Sequence, residues 1–123
     1  MPTVEQVSQD FELFKGNSKD LPVSVCDKAG AVVDITSATI RWWATEREVS
    51  GSVVIQKDIG SPGGITVTDA VNGKFTITID PTDTKDLAGK FLYHEAEVLD
   101  NTGKPTTVMF GIIELRDSLI SQL

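Results

Sequence analysis

Three sets of residues have the types and spacing for chemistry. His94 is the one histidine, and with Glu95 and Glu97 it puts an imidazole and two carboxylates in one short stretch, the raw material of a metal site or an acid–base pair. Asp80, Asp83 and Asp86 stand three apart beside Thr82 and Thr84, a composition that can wrap a calcium ion in oxygen ligands. Cys26 is the lone thiol. Each of these weakens once local geometry is considered. On a strand His94 and Glu95 point to opposite faces and cannot converge on one ion. The aspartates match no EF-hand loop, which leaves turn and helix-capping roles as the expectation for the 80–86 loop. Cys26 has Val25, Asp27 and Lys28 as neighbours and no adjacent histidine, so a small packed side chain is expected there. No Gly-x-Ser-x-Gly, Walker-type or dinucleotide motif is present, and Gly63-Gly64 leads into a strand instead of a phosphate-holding helix. The sequence is therefore read as non-enzymatic, with no catalytic, cofactor-binding or metal-ligating residues.

The elements that must position these side chains are strands. β-branched and aromatic residues gather in short runs broken by Gly, Pro, Asn and Asp, with strands expected at Asp10–Phe14, Leu21–Cys26, Ala38–Thr45, Ser52–Lys57, Ile65–Thr68, Lys74–Ile79, Phe91–Leu99 and Thr106–Leu115. Asn72-Gly73 supplies the positive φ values of a tight hairpin, with Asp69–Val71 lengthening its loop. Asp27–Gly30 and Asp100–Gly103 read as turns, 60–64 as a loop, and 82–89 as a crossover or single helical turn. Gly111 marks a bulge in the last strand. Alternation puts Leu92, His94, Ala96 and Val98 on one face and Phe91, Tyr93, Glu95 and Glu97 on the other. It also sends Trp42 inward and Trp43 outward, either to a partner or under the Arg47–Gly51 excursion. Strands recurring every 10–15 residues, about 7–9 in all, predict an all-β, two-sheet antiparallel sandwich of the immunoglobulin-like kind.

Composition narrows the function. With 123 residues the chain is one domain, read as an N-terminal arm (1–9), the sandwich (10–116) and a C-terminal tail (117–123). Eleven Lys/Arg against eighteen Asp/Glu give a net charge of −7, so nucleic-acid binding has no electrostatic footing. No apolar run approaches the roughly 20 residues of a membrane span, and the first residues lack a signal-peptide layout, which leads to an expectation of synthesis in the cytoplasm and no membrane partner. One cysteine excludes an internal disulfide.

The order of motifs resembles the small immunoglobulin-like sandwich domains of tailed-bacteriophage virions, best known as the N-terminal domain of baseplate upper proteins. Asp34-Ile35-Thr36, Ala38–Trp42, Gly64-Ile65, Gly73-Lys74-Phe75, Asp83-Thr84, Leu87–Phe91, Tyr93-His94-Glu95, Asp100–Gly103 and Gly111-Ile112-Ile113 carry it, over residues 11 to 115. Such domains usually bear a tyrosine where this chain has Phe91. They continue into a further domain, whereas this sequence reads as the module alone, which admits a head-decorating, neck or tail position as readily as a baseplate one. The resemblance implies a structural virion subunit, multi-copy or homo-oligomeric, whose partners are other virion proteins. Docking is expected at Trp43, at Val4 and Val7 in the arm, and at Leu119, Ile120 and Leu123 in the tail. The alternative is a carbohydrate-binding module using Trp43, Tyr93 and Phe110 as stacking platforms.

Overall fold

Alternating side chains along each strand leave one apolar face per sheet, and two such faces bury each other. In the computed structural model, which describes residues 4–46, 52–88, 90–100 and 102–120, this produces a six-stranded sheet over a three-stranded one. The elements are β1 (Val7–Ser8), β2 (Phe11–Phe14), β3 (Lys19–Ser24), β4 (Thr39–Glu46), β5 (Val53–Asp58), β6 (Ile65–Asp69), β7 (Lys74–Ile79), the helical turn α1 (Pro81–Thr84), β8 (Phe91–Leu99) and β9 (Pro105–Arg116). The large sheet runs β1-β9-β8-β4-β5, with β2 also on β9, and the small one runs β3-β7-β6. This is the immunoglobulin-like arrangement of an all-β sandwich. The described residues contain no helix long and apolar enough to cross a membrane.

The core lies between the sheets. Ile40, Trp42 and Ala44 of β4 and Leu92, Ala96 and Val98 of β8 are fully buried, facing Leu21 and Val23 of β3 and Phe75, Ile77 and Ile79 of β7. Aspartates fix the turns where the sequence places them. Asp27 Oδ1 accepts the amides of Ala29 and Ala31, and Asp34 Oδ1 accepts that of Thr36. Asp100 Oδ1 accepts the Thr102 hydroxyl and the amides of Thr102 and Lys104, and these bonds, the Thr102 hydroxyl foremost, hold its pKa down to about 2. The hairpin loop spans Ala70 to Gly73, and of the Asn72-Gly73 pair only Gly73 takes the positive φ expected of both. Gly73, at φ +71°, passes so close to its neighbours that a Cβ there would lie 2.5 Å from the Val33 carbonyl oxygen and 2.8 Å from that of Val25.

The connector between β3 and β4 forms a single bridge, Cys26 to Val32, and turns Val33 and Ile35 into the core. Two further expectations need correction, the bulge at Gly111 and the N-terminal arm. The bulge in β9 is at Val108, where the partner register steps from Ala96–Met109 to Glu97–Thr107. Gly111 is regularly paired with His94 and serves a close approach instead: a Cβ on it would lie 2.6 Å from the Gln9 carbonyl carbon and 2.8 Å from Asp10 Oδ1. Residues 4–9 are no free arm. Val4 and Glu5 pair beside β3, where Val4 bridges Asp27 and the Glu5 amide donates to the Cys26 carbonyl at 2.9 Å. The chain then crosses to the other sheet, and β1 and β2 run parallel to β9 along its free edge.

That edge is tightly fitted. The Gln9 amide donates to the Phe110 carbonyl at 2.8 Å, and the Ile112 amide donates to Asp10 Oδ1 at 2.9 Å, so a side chain replaces the backbone acceptor where β1 breaks from β2. Gly111→Ala is expected to cost about 1–3 kcal/mol, as overpacking does. Denaturant unfolding would measure the loss, and hydrogen exchange should locate it through faster exchange at Ile112; unchanged protection there would contradict the role given to this glycine.

Candidate functional site

The inner and outer faces of the large sheet treat the chemistry-bearing residues differently. His94 faces inward on β8, only 3% exposed, and sits in a chain of hydrogen bonds. The Trp42 indole N–H, which can only donate, gives its hydrogen to His94 Nδ1 at 3.1 Å. Nδ1 is therefore the acceptor, and Nε2–H donates to the Gln9 carbonyl at 2.6 Å. The Phe11 ring meets the imidazole edge to face, with centroids 5.4 Å apart, and the Lys19 ammonium lies 5.3 Å from the centre of that ring on the small-sheet side. Burial, the largest cause, holds the His94 pKa below 6.5 against the opposing pull of the Gln9 carbonyl and the Asp10 charge. Protonation would turn Nδ1 into a donor aimed at another donor. Glu95 and Glu97 point away, and among the described residues no group of three His, Cys, Asp or Glu side chains is placed to hold a metal ion.

The acidic turn at 80–86 already has a cation. Lys57 of β5 runs its stem beneath Gly64, where a Cβ would lie 3.2 Å from Lys57 Cγ, and delivers its ammonium to Asp83 Oδ2 at 2.7 Å and Asp80 Oδ2 at 3.3 Å. Burial acts to lower the Lys57 pKa, yet the bonds and charges of Asp83 and Asp80 raise it overall. The other Asp83 contact closes α1, since Asp83 Oδ2 accepts the Asp80 amide at 2.7 Å. Sequence reading missed this, because nothing in Ile55-Gln56-Lys57 distinguishes an inward lysine except that alternation aligns it with Ile55. Cys26 is half-buried two residues beyond β3.

The outer face of the large sheet collects what remains. Alternation carries Arg41, Trp43 and Thr45 of β4 outward, and antiparallel pairing aligns them with Glu97, Glu95 and Tyr93 of β8. Together with His94 these six line a shallow groove of roughly 270 Å³. The next strand extends the rows: Phe110 of β9 pairs with Glu95, and Ile112 with Tyr93. Trp43, Tyr93 and Phe110 are 39%, 48% and 42% exposed, so three aromatic rings share one open face. The Trp43 indole N–H donates to Asp58 Oδ1 at 3.3 Å while Gln56 Nε2 donates to Asp58 Oδ2 at 3.1 Å, which fixes the indole against β5. The Arg47–Gly51 excursion, named as a cover for Trp43, lies outside the described residues.

The remaining docking candidates separate. Val4 is 6% exposed and belongs to the core, a correction that follows from its pairing with Asp27. Val7 is 43% exposed on the outermost strand, at the sheet's edge. Leu119 and Ile120, at 84% and 82%, stand in solvent beyond β9, and Leu123 lies outside the described residues.

No family model matches the chain, and no curated protein matches its sequence. Among solved structures, a chain from work described as the structural basis of T cell specificity and activation by the bacterial superantigen toxic shock syndrome toxin-1 is similar. It shares 15% identity over 94% of this chain and 97% of that one, with a TM-score of 0.47. A likeness of that size assigns no function.

Two outcomes follow from the buried groups. Because the unfolded chain takes up the His94 proton below about pH 6.5 and the folded chain only at lower pH, stability is expected to fall on acidification from about pH 6.5 down through the folded-state pKa, then to level for this group. With one histidine in the chain, its imidazole proton resonance reports the titration alone; a midpoint at or above 6.5 would contradict the assignment. Asp83→Asn leaves the buried ammonium with Asp80 alone and is expected to lower unfolding free energy by about 1–2 kcal/mol in urea titration, below the cost of breaking a fully buried pair because Asp80 remains.

Proposed function

We propose that the protein is a non-enzymatic adhesion module, a structural subunit of a tailed-phage particle, that binds its neighbours through the outer face of the large sheet. The observation that carries this reading is the alignment of Trp43, Tyr93 and Phe110 on one exposed sheet surface, with the Trp43 indole held in place by Asp58. Aromatic side chains dominate binding energy where they are rigid and can be fully desolvated, and a fixed indole loses little freedom on docking. The exposed Leu119 and Ile120 supply a second, apolar contact beyond β9. The acidic charge suits a position away from packaged DNA, whose phosphates would repel it.

The same face favours a second reading. Aromatic platforms flanked by Arg41, Glu95 and Glu97 in a groove are also what a carbohydrate-binding module presents to a glycan, with the rings stacking on sugar faces and the polar groups bonding hydroxyls.

Particles purified from a culture producing the chain should contain it in fixed stoichiometry. Trp43→Ser, which leaves the core intact, should be incorporated roughly tenfold less, as expected for losing an anchor worth over 1 kcal/mol. Absence from the particles, together with glycan-array binding that Trp43→Ser abolishes, would replace the first reading with the second.

A further inference from the structure

Resting on the reading of this face as a docking surface, we infer that its occupant is a protein segment that brings arginine side chains to it. The argument is electrostatic. In register, Arg41 stands between Asp58 and Glu97, Trp43 between Gln56 and Glu95, and Glu95 between Trp43 and Phe110. Among the described residues, the face around the groove therefore carries three carboxylates against one guanidinium, in a chain whose net charge is already −7. Asp58 is bonded by the neutral donors Trp43 and Gln56, and Glu95 by the neutral Thr107 hydroxyl at 3.0 Å. None of these donors neutralises its carboxylate.

Covering the aromatic rings removes these carboxylates from water. An apolar partner would leave them buried without a counter-ion, at a cost of several kcal/mol each. A second copy of the chain docked face to face would set the same carboxylates against each other. A partner supplying guanidinium groups meets both demands of the surface, because a planar cation stacks on an indole or phenol ring and forks its N–H donors onto an adjacent carboxylate. Trp43 and Glu95 are direct cross-strand neighbours, and Tyr93 and Glu95 are adjacent outward positions of β8, so ring and carboxylate stand side by side twice. The sheet's other acidic corner is already served, with the Arg116 guanidinium 3.0 Å from Glu12 and 3.6 Å from Glu114.

The test uses the full chain and a blocked peptide of alternating glycine and arginine, four of each, with the lysine and glutamate analogues for comparison. Amide shifts in two-dimensional NMR are expected at residues 41–45, 93–97 and 107–112 with the arginine peptide, in a saturable manner. Binding by the lysine peptide should be weaker, and the glutamate peptide should produce no shifts. The double variant Glu95→Gln/Glu97→Gln, with both side chains outside the core, should bind the arginine peptide at least tenfold more weakly while unfolding at the wild-type denaturant midpoint. Absence of binding, shifts elsewhere on the molecule, or equal affinity in the double variant would overturn the inference. Incorporation into particles separates the two proposals. If the double variant assembles normally while Trp43→Ser does not, the docking face stands and its arginine partner falls; if neither variant loses incorporation, the docking face itself falls.

Discussion

The chain of bonds from the Trp42 indole through the His94 imidazole to the Gln9 carbonyl holds the two ends of the architecture together. It is a buried polar network with each member satisfied, which is the condition under which such groups specify one structure instead of weakening it. Trp42 cannot turn outward without abandoning an acceptor, and the N-terminal segment cannot leave β9 without stranding the imidazole. Gly111 makes this geometry accessible by leaving room for the Gln9 carbonyl directly opposite His94. A sandwich without a disulfide thereby has its first strand tied to its central strands by side chains.

The consequences reach the surface through the two-residue period of the strand. With Trp42 committed to the core, Trp43 must face out, and the pairing of β4, β8 and β9 sets Tyr93 and Phe110 on the same side. The outer face is thus determined by the same register that packs the interior, and only its chemistry is free to vary. Among the described residues, that chemistry combines open aromatic rings with three carboxylates around one guanidinium. Water stabilises such a surface in the isolated chain, and under the proposed docking a partner would have to replace that stabilisation with charge of opposite sign.

Much of this was legible in the sequence, for reasons that are local. The Trp42-Trp43 alternation, the two faces of Phe91–Leu99, the Asn72-Gly73 hairpin and the aspartate turns all depend on signals within a few residues. The inward face of His94 was readable, but its bonding partners were not, since Gln9 lies 85 positions away. Parallel pairing of β1 and β2 with β9 leaves no turn signal, so residues 4–9 read as part of an arm and Val4 as a docking residue although they belong to the fold. Lys57 illustrates the same limit: a lysine reads as solvent-facing until Asp80 and Asp83 are brought to its ammonium by the turn after β7. Gly111 announced an irregularity without revealing its kind, and the bulge fell at Val108, which no composition rule marks.

Solvent access to Trp43 in the assembled state tests the central claim most directly. Hydroxyl-radical footprinting of the chain alone and within intact particles compares one exposed indole with itself, while buried Trp42 serves as the internal control. The account requires Trp43, Tyr93 and Phe110 to be oxidised readily in the isolated chain and protected together in the particle. Equal oxidation of Trp43 in both states would mean that this face is not where the protein adheres.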